Sequence, residues 1–116
     1  MSKEEKMYTE FKAGDHTYKL RLTTQGIVML ERALGYNPLQ MFMGIDDDVL
    51  PKFGDMIIVL HQMLQAYEHG ISIDDTYEIF DKFIEDGHTM WDLIPALLEV
   101  FQEAGFLPKE EGDSKN

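Results

Sequence analysis

Phe53-Gly-Asp-Met-Ile-Ile-Val-Leu-His-Gln-Met-Leu-Gln-Ala-Tyr67 is the stretch around which the rest of the chain organises. At about 100° per residue, Phe53, Met56, Ile57, Leu60, Met63, Leu64 and Tyr67 fall on one broad face, the signature of an amphipathic helix. Ile58 and Val59 do not fit that face. Ile58 projects among Asp55, Gln62 and Gln65, where a surface helix carries polar groups. A helix that is apolar on more than one side needs neighbours on more than one side. The flanking segments are short enough to supply them. Gly70 is the expected end of this helix.

Upstream, residues 7–13 and 16–22 both alternate with period two and are separated by Gly14-Asp15, which predicts a β-hairpin. Tyr18, Leu20 and Leu22 share one face and Lys19 and Arg21 the other. A lone hairpin is marginal in water, so its apolar face must lie on helices. Thr23 or Thr24 caps a helix over 25–34, with Ile27, Leu30 and Leu34 inward and Gly35 as its left-handed stop. Asn37-Pro38 opens a short helix through Met43, ended by Gly44. Its residues Leu39, Met41, Phe42 and Met43 are apolar nearly all round, which fits a buried plug or a partner-facing knob. Residues 45–49 then lead to Pro51 and the central helix.

Downstream, Ser72 with Asp75 forms a capping box for a helix over 73–86. Its predicted inward stripe is Ile73, Tyr77, Phe80 and Ile84, flanked by Phe83, and Gly87 stops it. Thr89 with Asp92 opens a last helix over 90–104, closed by Gly105 with Phe106 placed for a Schellman contact. Pro95 lies in its second turn, where it removes one backbone bond and favours a bend. The expected fold is therefore mainly α: an N-terminal β-hairpin packed on a compact bundle of about five helices, two of them short or bent. One domain over 7–107 is expected between a charged start (1–6) and a polar, disordered tail (108–116), as suits 116 residues.

Composition narrows the function. There is no Cys, so disulfides, thiolate zinc sites and a thiol nucleophile are all absent. No apolar run is long enough to span a bilayer, and the N-terminus lacks the apolar core of a signal peptide, so the expected location is cytoplasmic. The formal net charge is −12, from 22 acidic and 10 basic residues. Such a field repels nucleic acid and anionic membranes and favours basic partners, or simply keeps a sticky chain in solution. Eight Met residues suit either core gap-filling or a binding surface that can repack.

Chemical motifs are missing. Asp46, Asp47 and Asp48 form a bare triplet without the alternating spacing of a calcium loop. In the segment around Gly87, Lys82 and Ile84 occupy the positions where an EF-hand needs oxygen ligands. His61 and His69 are too far apart for a helical metal pair, and His16 and His88 have no companions. There is no Gly-rich phosphate loop and no nucleophile elbow. The sequence implies no enzyme, no metal and no cofactor. What it does hold is surplus apolar surface. On the last helix, Leu93, Leu97, Val100, Phe101 and Ala104 form the core stripe. Trp91, Pro95 and Leu98 cluster away from it, with Ile94 bridging the two. That second patch is either an interface anchor or a face wrapped by the domain itself. Trp91, Ile94, Leu98, Ile58 and Met43 are the candidate protein-binding residues of a self-associating module.

Four segments in order, Tyr18-Lys-Leu-Arg-Leu-Thr-Thr24, Leu30-Glu-Arg-Ala-Leu-Gly-Tyr-Asn-Pro-Leu39, His69-Gly-Ile-Ser-Ile-Asp-Asp-Thr-Tyr77 and Asp92-Leu-Ile-Pro-Ala-Leu-Leu-Glu-Val-Phe101, with Gly105-Phe106, resemble the tail assembly chaperones of long-tailed phages and prophages of Gram-positive bacteria. The resemblance covers residues 8–107. It implies a protein made in the host bacterial cytoplasm and absent from the mature virion. Such proteins coat the tape-measure protein, keep it soluble and help tail-tube subunits polymerise around it. A longer, frameshifted product commonly engages the tail-tube protein, and Lys109-Glu110-Glu111 lies where such a shift would fall. The alternative from another class is a small acidic regulator, or DNA mimic, that binds a basic host protein.

Overall fold

A computed structural model describes residues 8–44 and 49–108. The charged start, the Asp46, Asp47 and Asp48 triplet and the tail from Lys109 onward lie outside the described residues. Within them the chain is mainly α, as expected. The order is β1 (Thr9–Ala13), β2 (His16–Leu20), α1 (Thr24–Leu34), a 3-10 helix (Pro38–Phe42), α2 (Phe53–Leu64), α3 (Ile73–Glu85) and α4 (Met90–Glu103).

The hairpin forms where the alternation places it. β1 and β2 pair antiparallel with Phe11 opposite Tyr18 and Ala13 opposite His16, leaving Gly14-Asp15 as a two-residue turn with Gly14 at φ 66°. Thr9, Phe11, Ala13 and Leu20 are buried, so one face of the ribbon lies on the helices. The Phe11 ring stacks on Phe83 of α3 at 4.7 Å. The turn is pinned as well: the Gly14 N–H donates to Asp86 Oδ2 at 2.8 Å. β2 stops two residues short of the alternating run. The Arg21 N–H leaves the ladder and donates to the Met63 carbonyl of α2 at 3.1 Å, while Leu22 stays buried.

That same bond helps end α2. If the helix continued, the Tyr67 N–H would donate to the Met63 carbonyl; instead that carbonyl accepts from Arg21 and the Tyr67 N–H donates to the Leu64 carbonyl at 3.2 Å. His61 completes the stop. Its Nε2–H donates to the Ile71 carbonyl at 2.9 Å and its Nδ1 accepts from the Gln65 amide at 3.2 Å, folding the chain back over the last turn. The helix therefore ends at Leu64, not at Gly70, whose positive φ serves a later turn.

α2 is the hub. It contacts α1, α3, α4 and β2, and Met56, Ile57, Val59, Leu60, Met63 and Leu64 are all buried. Val59, off the main apolar face, is sealed because helices close over both flanks.

The ends of the other helices follow local chemistry. Thr23 Oγ1 accepts from the Gly26 N–H, and Gly35 at φ 83° closes α1. Asn37 caps the short helix, which is 3-10 in form; such tighter turns suit runs this brief. Ser72 and Asp75 exchange both bonds of a capping box, at 2.9 and 3.0 Å. α3 and α4 both end in full Schellman motifs. His88 N–H bonds Phe83 O beyond Gly87, and Phe106 N–H bonds Phe101 O beyond Gly105. His88 also stacks on Phe83, supplying the ring contact that accompanies such ends.

One inward stripe is corrected. α3 buries Thr76, Ile79, Phe80 and Phe83, while Tyr77 and Ile84 are exposed and Ile73 is half-buried. The helix is turned so that Phe83 meets Phe11 of the hairpin. Thr76 tolerates burial because its hydroxyl donates to the Ser72 carbonyl at 3.0 Å.

Candidate functional site

The five candidate residues divide by exposure. Trp91, on the first turn of α4, is 50% exposed, and Met43, just past the 3-10 helix, is 75% exposed. Leu98 and Ile58 are half-buried and rest against the core. Ile94 is buried: it backs the α4 patch from inside and offers no surface of its own.

The geometry of α4 explains this division. At about 100° per residue, Trp91, Leu98, Pro95 and Gln102 share one flank, with Ile94 between them and the buried stripe of Leu93, Leu97, Val100 and Phe101. Trp91 and Leu98 are seven residues apart, so they stand about 10 Å apart along the axis on the same side. Pro95 lacks an N–H, so the Trp91 carbonyl is denied its i+4 helical donor. Trp91 itself joins a large apolar body to an indole N–H donor, the amphipathic combination found at protein interfaces. Asp92, in the same turn, accepts from the Thr89 N–H at 2.9 Å and faces His88 at 3.5 Å, which fixes the start of the helix that carries Trp91.

Met43 is placed from the other side. Phe42 packs edge-on against Phe101 of α4 at 5.5 Å, and Met41 is buried. The 3-10 helix is therefore a plug along most of its length with a knob at its end. Val49, also exposed, lies against Gly44 and extends the apolar surface next to Met43. On α2, Ile58 lies between the side facing α1, where Tyr36 bonds Asp55, and the side carrying His61 and Gln65. It is half-covered by the chain's own elements.

The outward face of α3 was not among the sequence candidates, although Tyr77 and Ile84 both reach solvent there. Periodicity alone put them inside. The usable signal was the second apolar pair, Ile79 and Phe83, which competes with them for the core.

A groove of about 400 Å³ runs between β2, the turn at 68–71 and α3, lined by Tyr18, Glu68, Asp75, Glu78 and Lys82. Burial, then the charges of Glu68 and Asp75, raise the Tyr18 phenol above its ordinary value. Tyr18 and Lys82 also line an adjoining groove beside the hairpin turn, with His16 and Glu85. Among the described residues, no three His, Asp or Glu side chains gather in a way that would hold a metal ion. No described helix is long and apolar enough to cross a membrane.

No curated protein and no solved structure matches the chain. One family model does, over residues 5–116, nearly the full length: the chain belongs to the family described as being of unknown function, DUF6096.

Proposed function

We propose that this protein is a phage tail assembly chaperone, a non-enzymatic binding protein that coats and solubilises the tape-measure protein and assists tail-tube polymerisation. The observation that carries the reading is the pair of large apolar side chains, Trp91 and Met43, held in solvent by well-packed elements. A tape measure is a long amphipathic helix that aggregates before a tube encloses it. Its coat needs apolar contacts that tolerate varied sequence, which Met supplies, and strong like charge between coats, which a net −12 supplies. In this reading the protein works in the host bacterial cytoplasm, self-associates along its client and leaves before the virion is complete. A longer, frameshifted form carries the contact to the tail-tube protein.

Co-expression with the tape-measure protein tests it. Trp91→Ala with Leu98→Ala is expected to keep the helical circular dichroism spectrum but to lower co-purification of the client and the oligomer mass seen by light scattering. Unchanged recovery and unchanged mass would take α4 out of the interface. Failure of the parent chain to retain any tape-measure protein would remove the function itself.

A second reading, a small acidic regulator of a basic host protein, is favoured by one feature. Asp74, Glu78, Asp81 and Glu85 are all exposed on one side of α3. It predicts a discrete complex with a single basic partner and little self-association.

A further inference from the structure

α3 carries more apolar surface than its packing uses. At about 100° per residue, Ile73, Ile84 and Tyr77 lie within about 40° of one another, just outside the buried stripe of Thr76, Ile79, Phe80 and Phe83. Tyr77 is 52% exposed and Ile84 40%. Phe53, at the start of α2, widens this shoulder: it is exposed, and its ring leans on Phe80 at 5.1 Å. Next to the shoulder, on the solvent side, run Asp74, Glu78, Asp81 and Glu85. Their spacing of four, three and four residues makes a straight row about 16 Å long.

We propose that this shoulder docks an amphipathic helix of a partner protein, its apolar ridge on Phe53, Tyr77 and Ile84 and its Lys or Arg side chains along the acidic row. Apolar surface and charge select the occupant together. An apolar ridge is what a groove-bound helix inserts, and a flanking row of one sign sets its orientation and register. A second copy of this chain is the wrong partner. Two such faces would set acid against acid, and the described helices carry between them only Arg32 and Lys82 as Lys or Arg. No described helix of this chain offers a complementary row, so the occupant proposed is a different protein. This goes beyond the proposed function: it concerns different residues from Trp91 and Met43, and it holds whether the client is a tape measure or a host protein.

Fluorescence anisotropy with the purified full chain tests it. The probe is a labelled synthetic amphipathic helix of about 18 residues, with a Leu ridge flanked by Lys, compared with its Glu-for-Lys counterpart. The Lys probe is expected to bind and the Glu probe not to. Tyr77→Ser with Ile84→Ser, and separately Asp81→Lys with Glu85→Lys, should each weaken binding by about tenfold or more, and Tyr77→Phe should retain it. Glu31→Lys with Glu99→Lys makes the same charge change elsewhere and should weaken it by less than about threefold. Trp91→Ala with Leu98→Ala should leave it unchanged, so that this inference and the coat reading fail separately. Equal loss in the charge-matched control, or full binding by folded Tyr77→Ser with Ile84→Ser, would overturn the proposal. So would a parent dimer that dissociates in that variant, which would give the face to a second copy.

Discussion

Tyr36 and Asp55 are 19 residues apart, and no periodicity in the chain connects them. In the folded protein the Tyr36 hydroxyl donates to Asp55 Oδ2 at 2.6 Å and ties the turn after α1 to the first turn of α2. Burial, then the hydrogen bond and charge of Asp55, push the phenol from its ordinary 10 up to about 12. The folded state therefore holds this proton more tightly than the unfolded chain does. The stabilisation is complete below pH 10 and is lost as pH rises from there toward 12. Tyr36→Phe is expected to cost about 1 kcal/mol near neutral pH, and its deficit against the parent should shrink above pH 10. Urea titrations on both sides of that point measure this. A deficit that stays constant on the alkaline side would mean that the hydroxyl proton contributes nothing. Contacts of this kind are invisible in sequence because they join side chains that only the tertiary fold brings together. Ile94 differs by degree: its place beside the α4 stripe was legible, but its burial depended on what packs there.

Among the helices, most ends read well and one of the faces did not. Ser72 with Asp75, Thr23 with Gly26, and the glycines at 35, 87 and 105 act within one turn of themselves, so sequence proximity contains the physics. The inward face of α3 is another matter. Ile73, Tyr77, Phe80 and Ile84 have helical spacing, and so do Thr76, Ile79, Phe80 and Phe83. The choice between them falls to Phe11 of the hairpin, which stacks on Phe83. The stability consequence is specific. Ile79→Ala should destabilise by about 2 to 5 kcal/mol because it opens a cavity in a packed site. Tyr77→Ala, on the exposed flank, should stay within about 0.5 kcal/mol of the parent. Denaturant midpoints for the two variants decide between the two phases of the helix, and the reverse order would restore the stripe read from periodicity. α2 shows the same limit at its C-terminus. Gly70 is its expected stop, but the Met63 carbonyl accepts from the Arg21 N–H and the His61 ring donates to the Ile71 carbonyl, both partners lying outside the helix.

Across the whole molecule, 22 acids against 10 bases leave the chain repelling itself and any other copy. Added salt should therefore raise the thermal unfolding midpoint of the free protein as the Debye length falls to about 10 Å near 0.1 M. The same salt should weaken the proposed complex with a basic, helical client. A scanning series at low and moderate salt, run with and without the client, checks both signs. A midpoint indifferent to salt would show that the acids are too dispersed to act together, and salt-insensitive binding would leave apolar contact as the dominant attraction. The sequence by itself determined the mainly helical class, the hairpin, the central position of α2, most helix ends and the excess of acid and apolar surface, because each depends on local geometry or on composition. Only the tertiary structure decided where α2 ends, which face of α3 turns inward and which apolar side chains remain in water. A side chain's exposure is set by its neighbours in space, and a helix with two eligible faces buries the one against which the rest of the chain can pack.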